Sequence, residues 1–313
     1  MDIRVRPLEE REIDDADRIM RLAFGTFLKM PDPMQMFGDS NLAKPRWYAN
    51  PGGALAAELD GRLIGSNFAA NWGSFGFFGP LSVLPELWER KIAQRMLERT
   101  MALFQKWGTR HTGLFTFPES PKHAALYQKF GFWPRFLTPL MEKKVERTAA
   151  EPQFLKFSAG SADEKAQWIQ ACREVTDSIY DGLDVTIEIQ GVDCQRIGET
   201  VMLTKGSRIV GFAVCHVGAG TEAGSDCCFV KFGAVRSGKR AAEDFDRLLA
   251  ACEALAVERG VSEVNAGVNM GRHQAYRALI ARRYRTYMHG VAMEQGNAAG
   301  YNRAAVFVID DWR

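Results

Sequence analysis

The stretch that decides the fold reads Phe75-Gly76-Phe77-Phe78-Gly79-Pro80-Leu81-Ser82-Val83-Leu84-Pro85-Glu86-Leu87-Trp88-Glu89-Arg90-Lys91-Ile92-Ala93-Gln94. Residues 75–83 are apolar and aromatic and end at Pro85, as a buried strand does. A helix is expected from about Glu89, because Ile92, Met96, Leu97, Met101, Leu103, Phe104 and Trp107 recur at steps of three and four. A helix start leaves about four backbone N–H groups without internal partners, and the helix dipole adds positive potential there. Together they make a site for an anion such as a pyrophosphate. Taken alone, the same residues also read as an ordinary strand–helix connection.

Working outward, residues 112–117 read as a strand, Pro118 and Pro121 bound a break, and residues 122–130 read as a helix that Gly131 stops. Tyr127 lies on that helix, where a packed amphipathic side chain is the ordinary reading. Residues 137–145 close the unit as a strand. Upstream, residues 3–6 alternate like a strand, 9–24 carry a helical stripe, and 27–48 have no period, as in a binding loop or lid. Asp60-Gly61 turns a hairpin. Trp72, Phe75, Phe77 and Phe78 read as sheet core or as the lining of a groove. The order then recurs in residues 154–294, with one further strand expected at 306–309. The aperiodic residues 146–152 read as a linker, which predicts domains over 1–147 and 148–313.

Two blocks carry a family resemblance: Val83-Leu84-Pro85-Glu86-Leu87-Trp88-Glu89-Arg90-Lys91-Ile92-Ala93, and Ser120-Pro121-Lys122-His123-Ala124-Ala125-Leu126-Tyr127-Gln128-Lys129-Phe130-Gly131-Phe132. Their order and spacing resemble the GNAT superfamily of acetyl-CoA-dependent N-acetyltransferases. The family pattern there is V-x-P-x-x-[QR]-x-x-G-x-[GA], a helix, then N-x-x-A-x-x-x-Y-x-x-x-G-F. Trp88, Lys91, Ser120 and His123 depart from it; Tyr127 and Gly131-Phe132 keep it. The second copy is more eroded: Arg236-Ser237-Gly238-Lys239-Arg240 replaces the phosphate loop, and Leu279 aligns with Tyr127.

The resemblance implies an α/β (α+β) chain of two tandem GNAT domains, each a mixed, mostly antiparallel sheet flanked by helices. It implies acetyl transfer from acetyl-CoA to an amine of a small molecule or peptide, by direct attack. It implies that Leu81, Ser82 and Val83 hold the pantetheine, that Glu89 to Gln94 hold the pyrophosphate, that Ser120 joins the cofactor site and that Tyr127 protonates the leaving sulfur. Glu119 is placed as a base acting through water. A non-catalytic GNAT-fold protein that binds acyl-CoA or a partner is the alternative.

Composition narrows the class. The 313 residues are 46% hydrophobic and 25% charged with net charge +2, values of an ordinary globular chain rather than a nucleic-acid or membrane binder. No stretch has the roughly 18 apolar residues of a membrane span, and the start lacks a signal-peptide apolar core, so a cytoplasmic location is expected. The six cysteines form no CxxC pair and five histidines are scattered, so no metal is expected and the thiols read as buried and reduced. A homodimer is left open.

Overall fold

The computed structural model describes residues 3–146 and 152–313; the expected boundary at 147/148 lies outside the described residues. The first repeat runs β1 (Ile3–Pro7), α1 (Ile13–Phe27), α2 (Ala43–Ala49), β2 (Ala54–Leu59), β3 (Arg62–Trp72), β4 (Phe75–Val83), α3 (Ile92–Trp107), β5 (His111–Thr116), α4 (Pro121–Gln128) and β6 (Phe132–Lys144). The second runs β7 (Leu155–Lys156), α5 (Ala162–Asp177), α6 (Thr186–Gln195), β8 (Gly198–Lys205), β9 (Arg208–Gly218), β10 (Gly224–Val235), α7 (Ala241–Glu258), β11 (Glu263–Gly267), α8 (His273–Ala281), β12 (Arg285–Gln295) and β13 (Val308–Ile309).

All described strands join one sheet, in the order β1-β2-β3-β4-β5-β12-β6-β11-β10-β9-β8-β7, with β13 against β10. Only β4–β5 and β10–β11 are parallel. The repeats correspond at a shift of 152 residues: Phe75 faces His111 in one and Cys227 faces Glu263 in the other. The last strands are exchanged. β12 pairs with β5 of the first repeat, and β6 pairs with β11 of the second. β6 and β12 also pair with each other, symmetrically about Thr138 and Gly290. This is a domain swap within one chain. Each repeat in sequence thus ends inside the other repeat's half of the sheet.

Three elements depart from the sequence expectation. The aperiodic loop contains helix α2, and the second repeat contains the matching helix α6. The two pack on each other closely enough that a Cβ on Gly191 would stand 3.1 Å from that of Ala49. α3 starts at Ile92, not Glu89. Pro85–Leu87 form a 3-10 turn, and Glu89 and Lys91 take left-handed φ of 66° and 61°, which no right-handed helix tolerates. Trp72, Phe75 and Phe77 are core: they are buried with Tyr301 and Trp312 at the junction of the repeats. Five cysteines are buried free thiols, and Cys194 is exposed.

Candidate active site

β4 and β5 run together only from Phe75/His111 to Phe78/Leu114. Beyond Phe78, β4 stays paired with β3 through Val83, while its other edge borders an opening. That opening is a cleft of about 630 Å³. Its walls bring together Leu81, Ser82, Val83, Glu89, Lys91, Ile92, Ala93, Gln94, Ser120 and Tyr127. Arg90 and Glu119 are exposed on the loops before α3 and α4, outside the lining residues.

The start of α3 is shaped by its loop. The first helical bond runs from the Arg95 N–H to the Lys91 carbonyl, which leaves the amides of Ile92, Ala93 and Gln94 without helical acceptors. Lys91 stands where the family pattern has Gly and adopts glycine's conformation, φ 61°. Trp88, in place of Gln or Arg, donates its indole N–H to the Val83 carbonyl at 2.8 Å and ties the loop to the end of β4. Lys122 Nζ meets Glu89 Oε1 at 2.5 Å and links the two lips of the cleft. Both groups are largely exposed, so this pair adds little stability. Four lysines (Lys29, Lys91, Lys122 and Lys129) and one acid, Glu89, line the cleft.

α4 begins with Pro121 after Ser120, whose hydroxyl accepts from the His123 N–H at 3.5 Å, a long cap. One helical face then carries His123 and, a turn later, Tyr127. Tyr127 packs against Phe78 at 5.8 Å between ring centres. Burial pushes its hydroxyl up to about 12. Such a phenol keeps its proton and can only donate it. His123 is pushed down by burial, against the raising field of Glu119. Its Nδ1 is buried without a hydrogen-bond partner, and its ring lies 4.9 Å from that of Phe27.

The far wall comes from the last turn of α1 (Phe24, Thr26, Phe27) with Lys29 and Phe117. Phe27 and Phe117 pack at 5.2 Å, Phe24 and Phe117 at 6.1 Å. The binding loop or lid expected over 27–48 begins at this wall, but the sequence reading gave no site role to Phe117, Lys122 or Lys129. The helical stripe of α1 could have signalled part of this wall, since Phe24 and Phe27 extend it past the point where the core needs it.

Residues 18–132 match the model of the acetyltransferase (GNAT) family. That stretch is similar to a GNAT domain. The fold likeness extends over the whole chain. A Pyrococcus horikoshii protein provisionally named an acetyltransferase superposes with a TM-score of 0.69 at 15% identity, covering 99% of this chain and 95% of the other. A GCN5-related N-acetyltransferase from Sphaerobacter thermophilus gives 0.58 at 14% identity, covering 94% and 95%. A tandem GNAT protein from the clavulanic acid biosynthesis pathway gives 0.54 at 11% identity, covering 95% and 99%. At such identities the likeness is one of fold, and the chain has the tandem GNAT fold. No curated protein matches the sequence. Among the described residues no group of His, Cys, Asp and Glu is placed to hold a metal, and no helix is long and apolar enough to cross a membrane.

Proposed function

We propose that the chain is an acetyl-CoA-dependent N-acetyltransferase whose working cleft lies in the first repeat. The observation that carries this reading is one continuous cleft joining the free amides of Ile92, Ala93 and Gln94 to the Tyr127 hydroxyl, past the open edge of β4. The residues fit the co-substrate. Four lysines and a helix start suit the phosphates of CoA, and a bare strand edge suits the amide groups of its pantetheine arm. Acetyl-CoA supplies the thioester carbonyl that an acceptor amine attacks directly.

The chain's own residues then have three tasks. The β4 edge at Leu81, Ser82 and Val83 orients the arm and offers N–H groups toward the carbonyl oxygen, where charge develops. His123 is the group suited to keep the attacking amine neutral, because burial favours its uncharged form. Tyr127 donates its proton to the departing sulfur, a task worth roughly 10²–10⁴-fold in general acid catalysis. The lining favours an acceptor with an apolar or aromatic body: Phe24, Phe27 and Phe117 form its wall, and Glu89, the one acid among the lining residues, is already paired with Lys122.

A second reading, a non-catalytic acyl-CoA binder, is favoured by one observation: the Tyr127 side chain is buried against Phe78, Leu97 and Phe132, as a packing residue is. Release of free CoA thiol from acetyl-CoA, followed with a panel of aromatic and aliphatic amines, separates the two. Amine-dependent release is expected. Binding of CoA with no release for any amine would favour the second reading, and no binding at all would overturn both.

A further inference from the structure

The 152-residue shift that superposes β4–β5 on β10–β11 also locates the second repeat's counterpart of the cleft. Leu81, Ser82 and Val83 correspond to Gly233, Ala234 and Val235; Ser120 corresponds to Arg272 and Tyr127 to Leu279. In the first repeat the edge of β4 beyond Phe78 borders the open cleft. In the second, the matching edge of β10 is taken by the chain itself. β13 pairs antiparallel with it, Ile309 opposite Gly233 and Val308 opposite Ala234, and the Val235 N–H donates to the Phe307 carbonyl at 3.3 Å. β9 already occupies the other edge of these residues, so β13 lies on the side where β11 has parted from β10.

We infer that residues 306–310 fill the second repeat's acyl-CoA notch as a surrogate strand, so that the chain carries one working cleft and a second that is closed by its own segment. The inference rests on the proposed function only for what the notch would otherwise hold. The filling is anchored at every point. Phe307 packs on Phe245 at 5.4 Å and shares a core with Leu279, the residue at the tyrosine's place. Arg272, fully buried where the first repeat has Ser120, holds Asp310 at 2.8 Å, and Tyr301 donates to the same carboxylate at 2.8 Å. A Cβ on Gly267 would collide with Asp311, so the segment lies directly on the end of β11. The connection from strand to helix has also shrunk, from residues 84–91 before α3 to 236–240 before α7, leaving less loop to wrap a pyrophosphate. A surrogate strand satisfies the same backbone groups that a pantetheine arm would, and it does so without a ligand.

The test is amide hydrogen exchange on the intact chain, with and without saturating acetyl-CoA, beside a calorimetric titration. Without ligand, amides in 233–235 and 307–309 are expected to exchange roughly 10³-fold or more slowly than unstructured ones, as core strands do. Acetyl-CoA is expected to leave them unchanged, to slow residues 81–94, and to bind at one equivalent per chain. Fast exchange at 233–235 and 307–309 without ligand, new protection at 236–241 with it, or a second equivalent bound would overturn the inference. Slow exchange at 233–235 with no response at 81–94 would uphold the filled notch and overturn the first-repeat cofactor site instead.

Discussion

Tyr127 and Lys91 carry the residue-scale consequences. Tyr127→Phe keeps the ring that packs on Phe78 and removes only the hydroxyl. Steady-state kinetics should show kcat falling by roughly 10–10³-fold with KM for acetyl-CoA nearly unchanged, the pattern of an interaction made mostly in the transition state. Full kcat with a verified acceptor would make Tyr127 a packing residue. The phenol is pushed up to about 12, so the wild-type rate profile should show no alkaline fall near 10 from this group. The same shift bears on stability. The folded form holds the proton more tightly than the unfolded chain, so this contribution is intact below about pH 10, the unperturbed tyrosine value. It is lost as pH rises toward 12. Lys91 pays for its left-handed backbone with about 1 kcal/mol. Lys91→Gly relieves that cost but loosens the unfolded chain by about 0.4–1 kcal/mol. Urea denaturation should therefore show a change between about 0 and 0.6 kcal/mol, toward stability. A clear destabilisation would mean that the Lys91 side chain itself holds the loop.

At the scale of elements, the start of α3 is the decisive one. Ala93 lines the cleft in the first turn of this helix. Ala93→Asp should abolish CoA binding by calorimetry, since the carboxylate faces the expected phosphates. An acid in a helix's first turn favours the helix by about 0.3–1 kcal/mol, so the melting temperature should not fall. That separates lost binding from lost fold. Equal affinity for variant and wild type would displace the pyrophosphate from this turn. The other informative elements are α2, which lies largely in the aperiodic stretch 27–48, and its counterpart α6, which was not expected from the sequence. α6 packs on α2 and also on the second repeat's core through Ile189 and Val192. A helix covered on two sides has no single apolar stripe. α2 is only seven residues long and carries Pro45 in its first turn.

The whole molecule is held by the exchanged strands and by a buried charge cluster between the repeats. Arg46 of α2 meets Glu222 at 2.6 Å, and Lys231 of β10 meets the same carboxylate at 2.8 Å, all three side chains buried. The two cations hold the Glu222 carboxyl far below its usual range despite burial. Glu222→Gln removes the carboxylate that both cations touch and leaves Lys231 only the fields of Glu188 and Asp311, and thermal or urea unfolding should show a loss of about 3–5 kcal/mol. A loss under 1 kcal/mol would mean that water reaches the cluster. Strand exchange makes a second prediction at this scale. Residues 1–147 expressed alone should not fold into a soluble acetyl-CoA binder, because β5 lacks its partner β12 and β6 lacks both neighbours. Co-expression with 148–313 should restore solubility, checked by gel filtration and circular dichroism. A monomeric, folded 1–147 that binds CoA would show that β6 can return to β5.

Much of this protein was legible in the residues themselves. The stripe of α3, the Asp60-Gly61 turn, the strand that ends before Pro85 and the Tyr127–Gly131–Phe132 spacing are local signals, set by side-chain period and backbone sterics within a few residues. They sufficed for the repeated order of elements and part of the cleft wall, and the family resemblance that their spacing carries implied the tandem GNAT fold. Three things were decided only in three dimensions. The start of α3 moved to Ile92 because Glu89 and Lys91 hold left-handed backbone, which propensity for either residue does not announce. Glu119 and Arg90 fell outside the cleft lining because a loop residue's direction depends on what its neighbours pack against. The exchange of β6 with β12, and the seating of residues 306–310 along β10, join segments far apart in the chain. A strand's sequence records which face is buried, and not whose edge it pairs with. That choice belongs to the assembled sheet, where each free edge takes the partner the whole molecule brings to it.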